Sequence, residues 1–66
     1  MLEYEELYDN CERVQIRLRD DLNILTFNYC DLKINHKYNM VYIIFSTHKR
    51  VFFNLNDIVS MEATHQ

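Results

Sequence analysis

The chain has 66 residues, 48% of them apolar, with five tyrosines, four phenylalanines and a formal net charge of −3 at pH 7. That is length for one domain, 1–66, and composition too apolar for a disordered chain, which needs low hydrophobicity and high charge. The longest apolar run, residues 40–45, falls far short of the roughly 18 residues of a membrane span.

The acidic front is no secretory signal, and two cysteines are too few for a disulfide scaffold. A cytoplasmic protein is expected, with no membrane contact. Gly and Pro are absent, and Asn, Ile, Tyr and Phe, with their AT-rich codons, are frequent. This composition suits a low-GC bacterium, or a phage or other mobile element living in one.

Residues 2–11 read as a helix. Tyr4, Leu7, Tyr8 and Cys11 fall at i, i+3, i+4 and i+7, one apolar stripe, and acids fill the remaining face. Residues 12–19 alternate as a half-buried strand, Val14, Ile16 and Leu18 inward and Arg13, Gln15, Arg17 and Arg19 outward. Asp20-Asp21 makes a turn.

In residues 22–30 the alternation slips between Leu22, Ile24 and Leu25, Phe27, Tyr29. A bulge or a bend in the strand has that effect. Leu32 and Ile34 continue the same bent strand. Residues 35–39 form a loop.

Residues 40–46, apolar on both faces, predict a central strand or one whose second face meets a partner. Residues 47–50 turn the chain. Val51, Phe53 and Leu55 share a face of the returning strand, Asn56-Asp57 breaks it, and residues 58–62 end the sheet with a frayed tail behind. With no glycine, Asn35, Asn39 and Asn56 serve the corners, since Asn is at ease in left-handed backbone. The expected fold is α+β, mostly β. An N-terminal helix precedes a four- to five-stranded antiparallel sheet, strongly bent or closed as a small Sm- or SH3-like barrel.

Residues 40–62 resemble the C-terminal hairpin of small Sm-like barrels and the end of bacterial YolD-like proteins. Val41, Ile43, Phe45, Val51, Phe53, Leu55, Asp57, Ile58, Val59 and Met61 carry the likeness, over about a third of the chain. YolD-like proteins are longer, and the Asp and Gly signatures of RNA-binding Sm proteins are missing here. The resemblance therefore implies fold alone.

No paired-carboxylate cleft, phosphate loop or nucleophile elbow is present. Cys30-Asp31 with His36 is a weak nucleophile–base pair. Cys11, Cys30, His36 and His48 lack the short paired spacing that preorganises zinc. A non-enzyme is expected, without metal, cofactor or structural disulfide.

Charge is uneven. Residues 1–12 hold five acids and no base. Glu3, Glu5, Glu6 and Asp9 on the expected helix are candidates to meet the basic surface of a host protein, in the manner of a small phage inhibitor or regulator. The rival surface is Arg13, Arg17 and Arg19 with Lys49 and Arg50, suited to nucleic acid or an acidic partner in an oligomeric Sm-like module. Met40, Tyr42 and Ile44 are expected to form a dimer interface, because so small a sheet leaves an apolar face uncovered.

Overall fold

A computed structural model describes residues 5–45 and 49–65. The elements are β1 (Glu5–Leu18), β2 (Ile24–Asn35), β3 (Met40–Ile44), β4 (Arg50–Asn54), a 3-10 turn (Leu55–Asp57) and β5 (Ile58–His65). They form one sheet in the order β4-β3-β2-β1-β5, with every neighbouring pair antiparallel. The first four strands meander, and β5 returns to the far side of β1. Among the described residues no helix is long and apolar enough to cross a membrane.

The expected N-terminal helix is not there: from Glu5 onward that segment is β-strand, and the described residues hold no α-helix. Over the described residues the fold is all-β, not α+β, and Glu5, Glu6 and Asp9 sit on a strand rather than on an acidic helix. A bulge explains the misreading. Tyr8 faces Leu32 while Cys11 faces Cys30, so β1 holds one residue more than β2 across this step. Asn10 takes up the excess, with φ 57°, and its N–H donates to Asp31 Oδ1 at 2.9 Å. The bulge sets the inward Tyr8 and Cys11 three positions apart instead of two, close to the spacing of one helical turn.

β2 slips as well, at Tyr29, whose φ is 56°. Leu25 and Phe27 point inward before it, and Cys30, Leu32 and Ile34 after it, so the alternation changes phase at this residue. The phase change expected between Ile24 and Leu25 lies five residues further on. Leu22 belongs to the turn and is 94% exposed.

The irregular steps of β1 and β2 adjoin, and the sheet folds over there. Val14 and Ile16 come from one half, Leu32, Ile34, Val41 and Ile43 from the other, and Cys11 and Cys30 from the fold line. All eight make one buried cluster. The Phe27 ring meets both Phe45 and Phe53 at 6.1 Å between centroids. A flat sheet would hold β2 and β4 too far apart for that contact.

Side chains make the corners. Asn39 has φ 55°. Asn35 Oδ1 accepts from the N–H groups of Lys37 and Tyr38, Asn54 Oδ1 from Asn56, and Asp21 Oδ1 from Asn23. The segment expected to fray is paired instead: Ala63, Thr64 and His65 lie opposite Val14, Arg13 and Cys11.

Candidate functional site

Alternation along β1 divides the acids between two faces. Glu5 lies on the outer face, its Oε2 3.4 Å from Lys33 Nζ and accepting from Asn35 Nδ2 at 3.1 Å. Glu6 points to the other side, where it accepts from the Tyr8 hydroxyl and meets His36 Nε2. The Tyr8 hydrogen bond, then His36, holds the Glu6 carboxyl below its ordinary range, and Glu6 in turn pushes the Tyr8 phenol up. Asp9 is exposed. Glu3 and His48 lie outside the described residues.

Cys11 and Cys30 are cross-strand partners with buried free thiols. Burial, and then nearby charge, raises both thiol pKa values above the ordinary 9.0. A group raised on folding contributes stability below its unfolded pKa and loses it as pH rises through the folded value. Stability should therefore decline above about pH 9. Both thiols should resist iodoacetamide in the native protein at pH 8 and react in denaturant. Rapid native alkylation would contradict their burial. Among the described residues no group of three His, Cys, Asp or Glu side chains is placed to hold a metal.

The arginines are only partly united. Arg13 and Arg17 share the outer face of the β2-β1-β5 half, among Asn28, Thr26, Gln15, Thr64, Glu62 and Ser60. Arg19 Nη2 donates to the Asn56 carbonyl at 3.0 Å, which ties it to the turn before β5. Lys49 and Arg50 stand at the start of β4, at the far end of the strand order from this half. Glu12, Arg13, Asn28, Tyr29 and Thr64 line an open pocket of about 350 Å³. Its aromatic wall was hidden in the sequence, because the phase change at Tyr29 is what turns that ring outward, beside a strand that has no aromatic residue of its own there.

The other half of the sheet presents a different outer face. One cross-strand row runs Leu7, Lys33, Tyr42, Phe52; Asn35, Met40 and Asn54 flank it on one side, Asp31, Ile44 and Arg50 on the other. Met40, Tyr42 and Ile44 thus share one face and are half-buried. Tyr42 and Phe52 pack with ring centroids 6.3 Å apart, and Lys33 Nζ stands 6.0 Å from the Tyr42 ring centre. Phe52 is 60% and Leu7 59% exposed. Phe52 was legible from its parity with Val51 and Phe53. Leu7 was not, because the helical reading placed it in a buried stripe.

No protein-family model, no curated protein and no solved structure matches the chain.

Proposed function

We propose that this protein works by binding another protein, as a small regulator or inhibitor, and that its docking surface is the outer face built from Leu7, Met40, Tyr42, Ile44 and Phe52. The pairing of half-buried Tyr42 with exposed Phe52 carries this reading. A cluster of apolar surface marks an interaction site, and Tyr is among the residues that dominate the centre of interfaces. Lys33 crosses the face between Leu7 and Tyr42, and Arg50 and Glu5 lie at its margin. Glu5 and Glu6 already have partners within the chain, which moves the emphasis from the acids to this face.

The second reading is nucleic-acid binding on the opposite half, favoured by the pocket that joins Arg13 to an exposed aromatic ring. Paired variants separate the two. Tyr42→Ser with Phe52→Ser should abolish capture of a partner from a low-GC bacterial lysate while the variant stays folded by circular dichroism at the temperature of the capture. Arg13→Gln with Arg17→Gln should keep that capture. The reverse pattern, together with salt-sensitive binding to single-stranded RNA or DNA, would replace the protein-binding reading.

A further inference from the structure

β4 stands at one end of the strand order, with β3 its sheet neighbour. The direction of its backbone groups follows from two bonds. The Phe45 N–H donates to the Lys49 carbonyl at 3.0 Å, and the Leu55 N–H to the Asn39 carbonyl at 2.7 Å. They bracket the ladder that runs from Ile44 opposite Arg50 to Met40 opposite Asn54. Hydrogen-bonded and non-hydrogen-bonded pairs alternate along an antiparallel ladder. Val51 and Phe53 therefore turn their N–H and C=O groups toward β3, while Arg50, Phe52 and Asn54 turn theirs to the open edge.

Among the described residues no further strand pairs with this edge. Its middle residues are Val51, Phe52 and Phe53, with no proline, bulge or central charge to block a further strand. We infer that β4 pairs antiparallel with β4 of a second copy of the chain, with Phe52 opposite the partner's Phe52. In this register every edge-facing residue finds a hydrogen-bonded position. Phe52 meets its own copy, and Arg50 meets the partner's Asn54 on each side of the two-fold axis.

Charge opposes the parallel alternative. In-register parallel pairing would set Arg50 on the partner's Arg50, whereas the antiparallel register sets each Arg50 opposite the uncharged Asn54 of the other copy. The interface is isologous and closes at two copies. It also brings the two Phe52 rings together, so the Leu7–Lys33–Tyr42–Phe52 rows of both copies become one band. The inference rests on the open edge and its register and stands apart from the docking reading above.

Sedimentation velocity across a dilution series from high to low micromolar should show a dimer that dissociates. Phe52→Pro removes an edge-facing N–H and no β3–β4 hydrogen bond, so it should give a folded monomer. Asn54→Asp sets a carboxylate opposite the partner's Arg50 on each side of the axis and should tighten the dimer, and adding Arg50→Glu should reverse that gain.

Amide hydrogen exchange gives a readout that needs no variant. Arg50, Phe52 and Asn54 should gain protection only at high concentration, whereas Val51 and Phe53 are protected throughout. A wild-type monomer at every concentration would overturn the inference. So would a dimer that persists in folded Phe52→Pro, or one in which the three edge amides stay unprotected while Tyr42→Ser dissociates it. Should Phe52→Pro fail to fold, the exchange pattern decides.

Discussion

Ile43→Ala is expected to lower the unfolding free energy by about 2–5 kcal/mol, the usual cost of emptying a buried isoleucine site. Ile43 is fully buried in β3, between Leu32 and Val51, with strands on both sides. At roughly 0.05–0.15 kcal/mol per residue, a chain of this length has only about 3–10 kcal/mol in all. The variant should therefore populate unfolded chain without denaturant. Urea titration followed by circular dichroism measures this, with Leu22→Ala as the reference. Leu22 is 94% exposed, and its loss should stay within about ±0.5 kcal/mol. Equal effects of the two substitutions would contradict the folded-over sheet.

Tyr29→Gly is expected to act in the other direction and raise stability by about 1 kcal/mol. Left-handed backbone costs a residue with a Cβ roughly 1–2 kcal/mol, and glycine escapes that at a smaller entropic cost. Little burial is lost, since Tyr29 is 68% exposed. Asn39, also at positive φ, is a residue type that tolerates this backbone, and Asn39→Gly should gain less. The same urea titration compares them. A destabilised Tyr29→Gly would mean that the ring contributes more to the fold than its exposure implies. A large aromatic kept at a strained position in a pocket wall fits a binding role for Tyr29.

Where strands alternate regularly, the sequence was readable. Val14, Ile16 and Leu18 face the core as expected, and the arginines between them face out. The β3–β4 pairing and the short break after it were legible too, while the turn between these strands lies mostly outside the described residues. Of the expected asparagine corners only Asn39 takes left-handed backbone, and Asn35 and Asn56 serve through hydrogen bonds instead. What hid the rest was a pair of local irregularities. At Asn10 the bulge makes a strand mimic a helical stripe, and at Tyr29 a phase change turns an apparently inward ring outward. Both depend on pairing with a neighbouring strand, which no single segment reveals. The acidic helix was misread for the same reason. Glu5 and Glu6 would lie together on a helix, but a strand sends them to opposite sides.

The site was partly legible. Met40, Tyr42 and Ile44 share one face because a strand repeats every two residues. Leu7 and Phe52 complete that face only through register, four strands side by side. The Arg13 pocket likewise needs Tyr29 and Thr64 from the neighbouring strands.

The most direct measurement of the docking claim is site-specific photo-crosslinking. A benzophenone side chain replaces Phe52 in one preparation and Arg17 in another, so that each outer face carries one probe. Both are irradiated in a low-GC bacterial lysate, and the adducts are identified by mass. The account predicts from position 52 a defined adduct with a protein other than a second copy of this chain, reduced by Tyr42→Ser, and none from position 17. A self-adduct alone from position 52, or a protein or nucleic-acid adduct from position 17 alone, would contradict it.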